Sequence, residues 1–412
     1  MKKLIVLAVA AMFATSAFAG DLNWNGSTGV RYSGATYDDQ LNSTTTVGAG
    51  GGAVNTSKQT MRDHAIRANL GATGGSGNVE YGTAIRTGTT ANTDYVNYNN
   101  AGGLTIGLSE AWFKYSHDFG MVDVSAIFGR QKNVFVFDAS QQLFDNDVNF
   151  DGFGWNFKMG SFGLNAAQYI LGAHTANGTV GASNYTKTDA TEALVSGTRK
   201  MSVLYGFQPY MNWKFADEIS AMFALGFYNW TNYDSATNRI HGGYNSSTLN
   251  TSAATGTVPV HNPKQWQFYT AWDLPFNLGV NAEYIMNKKT QYLQSAGNTF
   301  SVQQSGNEAD RNAYSVGINY GKVKKAHDWS VGYAYGSKGI ASVINTFSND
   351  KFLADNKGHT VMAKYALADN FNLGFKGLWL KEKANKDDVG VGVTTAQSQK
   401  TTYWEVTAGV AF

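Results

Sequence analysis

Residues 201–215 read MSVLYGFQPYMNWKF, and their side chains alternate between two classes. Every odd position is apolar or aromatic, whereas the even positions include Ser202, Gln208, Asn212 and Lys214. Successive side chains of a β-strand point to opposite faces, while a helix repeats about every 3.6 residues. The alternation therefore predicts a strand with one apolar face and one mostly polar face.

The same alternation recurs along the chain, and the connections alternate between tight turns and long loops rich in Gly, Ser, Thr and Asn. The predicted strands are 22–33, 64–71, 78–87, 108–116, 121–130, 153–159, 162–171, 201–215, 219–230, 265–273, 276–287, 313–320, 329–335, 360–367, 371–380 and 402–412. Their polar faces would be too costly in the core of a soluble β-sandwich but suit a wet interior. The predicted fold class is therefore all-β, a transmembrane antiparallel up-and-down β-barrel of about 16 strands, with short periplasmic turns and long extracellular loops.

The first nineteen residues have the pattern of an export signal. Lys2 and Lys3 precede an apolar run over 4–13, and small residues follow up to Ala19. This run is too short to span a bilayer as a helix, which needs about 20 residues. The pattern predicts a signal peptide at 1–19 and an exported barrel at 20–412.

Composition narrows the classes of function. Subtracting Lys2 and Lys3 from the 32 basic residues leaves 30, equal to the 30 acidic ones, so the mature chain has no net charge to attract nucleic acid. The chain has no cysteine, which excludes a disulfide framework and a thiol nucleophile. None of the seven histidines lies in a recognisable catalytic setting. We expect neither an enzyme nor a site for a cofactor or a metal.

The chain ends in a strand whose apolar residues share one face, from Trp404 and Val406 to the terminal Phe412. This ending resembles the C-terminal strand signature of Gram-negative outer-membrane proteins. The resemblance implies recognition of this strand by the barrel-assembly machinery and a place in the outer membrane, among its lipid and lipopolysaccharide.

Further segments resemble porins. The stretch 329–383, with DWSVGYAY at 328–335 and KYALADNFNLG at 364–374, resembles a Proteobacterial porin family, and residues 119–131 resemble the fourth turn and fifth strand of general porins. The mature chain as a whole is similar to the sixteen-stranded porins. This resemblance implies a homotrimer whose water-filled channels let small hydrophilic solutes and ions diffuse passively.

In such porins the loop after the fifth strand folds inward and narrows the pore. Here that loop is expected at 131–152, and its acidic residues are Asp138, Asp145, Asp147 and Asp151. It also carries four phenylalanines, at 135, 137, 144 and 150, which could instead pack it against the wall.

Basic residues fall on the lumenal face of the neighbouring strands. They are Arg31, Arg67, Arg86 and Lys114, with Arg130 as a fifth candidate. Arg130 shares the parity of Phe128, so it would face lipid unless its strand bulges or has already left the hydrocarbon. A positive wall opposite an acidic loop would create a transverse field that screens ions by charge. Alternatively, these cations only keep the channel wet and pair with Glu80 and Glu110.

Two other functions stay open. A substrate-specific channel for sugars or aromatic acids would need stacking surfaces, and four aromatic residues have lumenal parity, namely Trp112, Tyr210, Tyr269 and Tyr403. A surface or structural role would use the long loops. One local irregularity is also predicted, a bulge near Gln168, where the apolar parity slips.

Overall fold

The computed structural model describes residues 22–38, 58–87, 96–97, 106–173, 179–180, 185–186, 201–231, 263–288, 291–296, 299–304, 311–339, 342–344, 347–349, 351–353, 356–382 and 400–412. The predicted signal peptide at 1–19 lies outside these residues, as does much of several long loops. Within the described ranges, no helix is long and apolar enough to cross a membrane.

Sixteen long strands make up the main sheet. They are β1 (Asn23–Asp38), β2 (Lys58–Ser76), β3 (Val79–Thr87), β4 (Ile106–Asp118), β5 (Asp123–Lys132), β6 (Asn149–Met159), β7 (Phe162–Ala173), β8 (Met201–Ala216), β9 (Ile219–Thr231), β10 (Lys264–Leu274), β11 (Leu278–Asn287), β12 (Asn312–Tyr320), β13 (Trp329–Lys338), β14 (Asn356–Ala368), β15 (Phe371–Glu382) and β16 (Lys400–Ala411). A two-residue strand, Val96–Asn97, also pairs with β2. Two small hairpins, one of Thr179–Val180 with Tyr185–Thr186 and one of Gln291–Ala296 with Thr299–Gln304, lie outside this sheet.

The sheet closes on itself. Each strand pairs antiparallel with the next in sequence, and β16 pairs with β1. Beyond the last ladder residue, the Phe412 amide donates to the Gly26 carbonyl and the Gly26 amide donates to the Phe412 carbonyl, both at 2.9 Å. A ring without an unpaired edge is a closed barrel. The predicted fold class is therefore confirmed.

The two rims of the barrel differ. At one rim the strands are joined by short turns, such as Gly160 with Ser161 and Asp369 with Asn370, and at the other by long loops. Between β10 and β11 the turn is a short 3-10 segment, Pro275–Asn277, in which Phe276 and Asn277 have φ of 63° and 57°. The predicted start of a strand at Phe276 was wrong, because these left-handed residues form the turn and β11 begins at Leu278.

The outward face of the barrel is apolar and carries aromatic rings near the strand ends. Along β8 the odd residues Tyr205, Phe207, Trp213 and Phe215 are exposed, as the alternation predicts. Near the short-turn rim, the Phe215 ring stacks on Trp213 and on Trp272 of β10, each with ring centroids 5.5 Å apart. Such bands of aromatic side chains are typical of the two membrane interfaces of outer-membrane barrels.

A bulge occurs close to the predicted position, at Leu171 rather than at Gln168, but it does not cause the slip in parity. The ladder between β7 and β8 is continuous from Ala166 to Ile170. The apolar parity slips because Tyr169 faces the interior, where it is fully buried and stacks on the Phe150 ring at 4.7 Å. An apolar side chain is stable there because chain folded into the barrel covers it.

Candidate channel constriction

The chain between β5 and β6 folds into the barrel, and we call residues 133–148 the inner loop. Its predicted range, 131–152, was too wide at both ends. Gln131 pairs with Phe150 and Lys132 with Asn149, so the ladder of β5 and β6 continues up to residues 132 and 149. The inner loop therefore comprises only the residues between these two positions.

Aromatic packing fixes one end of the inner loop against the wall. Phe135 and Phe144 are almost fully buried, and each ring lies 5.1 Å from the inward ring of Tyr228 on β9. Burying a phenylalanine side chain stabilises a fold by about 1.5–3 kcal/mol. The phenylalanines thus hold the inner loop against the strands.

Polar side chains of the wall bind the backbone of the inner loop. The Tyr169 hydroxyl accepts from the Val134 amide at 2.9 Å, and the Gln208 side chain donates to the Phe135 carbonyl at 3.2 Å. The carboxylate of Glu283 on β11 accepts from the amides of Gln142 and Leu143. Gln267 supports this carboxylate with a bond of 2.6 Å. A buried charge with several donors around it can be tolerated, while an unpaired one is costly.

The inner loop crosses from one side of the barrel to the other. Glu283 belongs to β11, whereas Arg86 of β3 donates from both terminal nitrogens to the Asp147 carbonyl at 3.1 Å. In a ring of sixteen strands, β3 and β11 are opposite one another. Next to Asp147, the Asn149 side chain donates to the Ser109 carbonyl of β4 at 2.8 Å. The loop is thus tied to both halves of the wall.

The four predicted acidic residues do not form one cluster. The Asp138 carboxylate accepts a hydrogen bond from the Tyr269 hydroxyl on β10, and Ser140 binds the same hydroxyl at 2.7 Å. The Asp145 amide donates at 2.7 Å to the carbonyl of Phe347, which lies between β13 and β14. Asp147 lies beside Arg86 as described. Asp151 is not in the loop at all, because it belongs to β6.

Three of the predicted basic residues face the interior from adjacent strands. Arg31 of β1 lies opposite Ala65 of β2, Arg67 of β2 opposite Gly29, and Arg86 of β3 opposite Asn69 of β2. Measured along β2, the three arginines therefore lie at the heights of residues 65, 67 and 69, which span roughly 13 Å at the usual rise per residue. The three arginines therefore form a compact basic patch on the inner wall.

Lys114 also has inward parity, but it lies at a different height. It is opposite Glu80, and its Nζ is 3.3 Å from a carboxylate oxygen of that residue. Glu80 and Arg86 are six residues apart on β3, which is roughly 20 Å along the strand. The prediction of one continuous wall therefore fails for Lys114, which forms an ion pair near the short-turn rim.

Arg130 does not line the interior. It lies opposite Asp151, and the two share the outward parity of Phe128 and Phe153, whose rings contact each other. Its Nη2 is 2.6 Å from the Asp151 carboxylate. The pair lies near the long-loop ends of β5 and β6, where a strand leaves the hydrocarbon. Both Arg130 and Asp151 were wrongly assigned to the pore, because their register places them outside.

Several residues of the site escaped the sequence prediction. Glu283 and Gln208 have the inward parity of their strands, but nothing local shows that a loop from elsewhere binds them. Tyr210 and Tyr269, considered as stacking surfaces, instead face the Phe137 ring of the inner loop, with centroids 5.1 and 6.5 Å away.

The histidines of the described chain serve contacts of the wall and turns. His359 binds the Tyr333 hydroxyl at 2.7 Å and His327 binds the Tyr365 hydroxyl at 3.0 Å. No group of three or more potential metal ligands occurs among the described residues.

Comparison with known structures gives the same architecture. The high-pH structure of Pseudomonas putida OprB has a TM-score of 0.50 at 12% identity, over 95% of this chain and 94% of that chain. Salmonella typhi OmpF in complex with daunomycin gives 0.47 at 10% identity, over 95% and 97%. A mutant of the Rh. blastica porin gives 0.44 at 11%, over 95% and 100%. Likeness at such identities concerns the fold alone.

Comparison of sequences identifies the family as well as the fold. Among curated proteins nothing matches. A family model described as "Putative porin" matches residues 33–261, which is more than half of the 412 residues. The match lies over the N-terminal half of the barrel rather than over the stretch 329–383 that first resembled porins. With its closed barrel of sixteen strands, the chain belongs to this porin family.

Proposed function

We propose that this porin forms a water-filled channel across the outer membrane, through which small hydrophilic solutes and ions diffuse passively, and that the inner loop forms its narrowest part. The observation that carries this proposal is the crossing of the barrel by that loop, which binds Glu283 on β11 and Arg86 on β3. A barrel of sixteen strands is too wide for wall side chains alone to fill. A loop tied to both walls narrows this space at its own level.

The basic patch supports a preference for anions. Charged groups that line a narrow pore select ions by sign, and Arg31, Arg67 and Arg86 lie on adjacent strands at the level of the loop. Of the predicted acidic residues, Asp151 lies outside and Asp138 binds Tyr269 on β10, away from β1 to β3, so only Asp145 and Asp147 belong to the part of the loop that approaches Arg86. Small anions should therefore pass more readily than small cations.

A substrate-specific channel is the second candidate. Tyr210 and Tyr269 are covered by the inner loop, and Tyr403 is buried in a cluster with Phe352 of the chain between β13 and β14, which leaves Trp112 as the inward aromatic residue of the original set that no such cluster covers. Trp112 donates to Glu110 at 3.1 Å and Tyr403 to Glu405 at 2.6 Å. Because these two rings belong to different parts of the wall, the general channel is better supported. A surface or structural role of the long loops remains a third candidate, and the family and fold favour a channel over an enzyme.

Swelling of liposomes that contain the purified protein tests the diffusion function. We expect entry rates of neutral sugars to fall steadily with their size and to rise in proportion to their concentration. Saturation by one sugar or aromatic acid would favour the substrate-specific channel. Absence of swelling with protein that migrates as a folded barrel would contradict a diffusion channel.

The outer surface supports contact with lipopolysaccharide and other outer-membrane lipid. Lys357, Lys381 and Lys400 lie directly opposite one another on β14, β15 and β16, at the long-loop ends and on the outward parity of Trp379. Like charges opposite each other destabilise a sheet slightly unless a counter-charge is present. Asp38 of β1 lies opposite Lys400 on its other side. For Lys357 and Lys381, phosphate groups of lipopolysaccharide in the outer leaflet would supply the counter-charge.

The remaining proposals concern export and assembly. The signal-like pattern at 1–19 supports export, and the exposed Phe412 at the end of β16 supports recognition by the barrel-assembly machinery. Membership of a porin family supports a homotrimer, which native mass measurement of the detergent-extracted protein would test.

A further inference from the structure

A second piece of chain lies inside the barrel, between β13 and β14. Its described residues are 342–344, 347–349 and 351–353, which we call the second inner segment. Val343, Ile344 and Phe347 are buried in the same apolar cluster as Phe144 of the inner loop. The two elements are distant in sequence but share one core.

Hydrogen bonds join the second inner segment to the inner loop. The Asp145 amide donates to the Phe347 carbonyl at 2.7 Å, and the Asn349 amide donates to the Gln142 carbonyl at 3.1 Å. The Asn349 side chain adds a bond of 3.0 Å to the Ala139 carbonyl. All three bonds use backbone atoms of the inner loop, so they fix the path of its chain.

The second inner segment is also fixed to the wall. Phe347 stacks on Trp230 of β9 at 5.4 Å, and the Gln265 side chain of β10 donates to the Ser342 carbonyl at 2.9 Å. On β13, the buried ammonium of Lys338 donates to the Asn349 carbonyl at 2.6 Å. The segment therefore connects the wall and the inner loop rather than resting on one of them.

The two inner elements cover large inward side chains of β8, β9 and β11, because Leu204, Tyr228, Trp230 and Ile285 are almost fully buried in their shared cluster. Phe352 of the second inner segment packs in a second buried cluster, with Ala35 of β1, Leu378 and Leu380 of β15 and Tyr403 of β16. Small inward residues of β1 to β3, such as Ala65 and Ala84, are buried as well, but the side chains of Arg31, Arg67 and Arg86 remain partly accessible. At this level, accessible interior space therefore remains beside the basic patch.

We propose that the second inner segment is a second part of the constriction, which holds the inner loop at residues 142–145 and confines the water path to the side of Arg31, Arg67 and Arg86. This inference rests on the proposed diffusion function. It assigns Phe347 and Asn349 as positioning residues, since they act through the inner loop. Loosening them should widen the path and let ions pass farther from the arginines.

The double variant Phe347→Ala with Asn349→Ala tests this role in planar bilayers. We expect a larger single-channel conductance and a reversal potential, under a salt gradient, that is closer to zero than that of the wild type. The control Phe207→Ala removes an outward ring from β8 and should leave both quantities unchanged. Wild-type conductance and wild-type reversal potential in the double variant would overturn the proposal.

A second experiment does not depend on the stability of that variant. The natural chain has no cysteine, so Gln142→Cys with Asn349→Cys introduces a single pair. The backbone bond between these residues should bring their Cα atoms within the range that a disulfide needs. Efficient cross-linking of the folded barrel under oxidation would support the contact, and no cross-link would overturn it. Failure of the wild type to conduct would instead refute the proposed function.

Discussion

At the scale of single residues, register decides what a cation can do in this barrel. Arg31, Arg67 and Arg86 face the interior within roughly 13 Å along the strand direction. Lys114 is neutralised by Glu80, and Arg130 binds Asp151 on the outer face. Of the five predicted basic residues, only these three therefore lie together on the inner wall at the level of the inner loop.

Neutralising two of these arginines should reduce the anion preference. With Arg67→Gln and Arg86→Gln together, we expect the reversal potential under a salt gradient to shift toward cations, because the local positive potential falls. Single-channel recording under asymmetric salt measures this shift. Arg130→Gln serves as the matched control and should leave the reversal potential unaltered. An equal shift in the double variant and in Arg130→Gln would show that an outward charge affects selectivity as much as the inward ones. Such a result would contradict a role of the basic patch in ion selectivity.

Alternation predicted the inward parity of Arg31, Arg67, Arg86 and Lys114 because parity is a local property of a strand. It did not predict the height of Lys114, which depends on how β3 and β4 align. The parity of Arg130 predicted a side chain on the outer face, where a lone charge would be unfavourable. In the structure Arg130 does lie on the outer face, and its charge is paired with that of Asp151. The height and the ion-pair partner of such a residue depend on the register between strands and not on the sequence of one strand.

Among the elements, the turn between β12 and β13 is held by two carboxylates, Asp328 within the turn and Asp369 of the next short turn, which accepts from the Ala326 amide at 2.7 Å. Asp328 accepts from the amides of Lys324 and Lys325, each at 3.0 Å, and these bonds lower its pKa below the ordinary value. A carboxylate with a lowered pKa stabilises the fold above its ordinary pKa of about 3.9, and this stabilisation is lost as the pH falls through the lowered value.

Acidification should therefore loosen this turn. We expect hydrogen-exchange protection of the Lys324 and Lys325 amides to be full at neutral pH and to decrease as Asp328 becomes protonated. In the variant Asp328→Asn this pH dependence should disappear, because the side chain no longer titrates. An unchanged pH dependence in the variant would show that another group controls the turn.

All sixteen predicted strands overlap strands of the structure, because period-two alternation and turn residues are local signals. The inner loop was placed by its position after the fifth strand, but its limits were missed because Gln131 and Asn149 continue the ladder. The second inner segment could not be predicted, since its contacts join Asn349 to Gln142 across more than two hundred residues. Such pairings become visible only once the barrel is closed.

At the scale of the whole molecule, the outer surface should bind anionic lipid unequally around its circumference. Replacing Lys357, Lys381 and Lys400 by Gln together should reduce lipopolysaccharide bound to the purified barrel, as measured by native mass spectrometry. Electrostatic attraction of a basic cluster to anionic lipid is the physical reason. The control Lys322→Gln, Lys324→Gln and Lys325→Gln removes the same charge at the short-turn rim. Equal binding by the two triple variants would contradict a site on β14 to β16.

We infer that the closed barrel keeps a water-filled path beside the inner loop. Single-channel conductance of the wild-type protein over a range of salt concentrations tests it most directly. An aqueous channel predicts steady current steps whose size rises nearly in proportion to the salt concentration. The absence of steps from protein that retains its folded, heat-modifiable form would contradict the claim, because the two inner elements would then close the barrel.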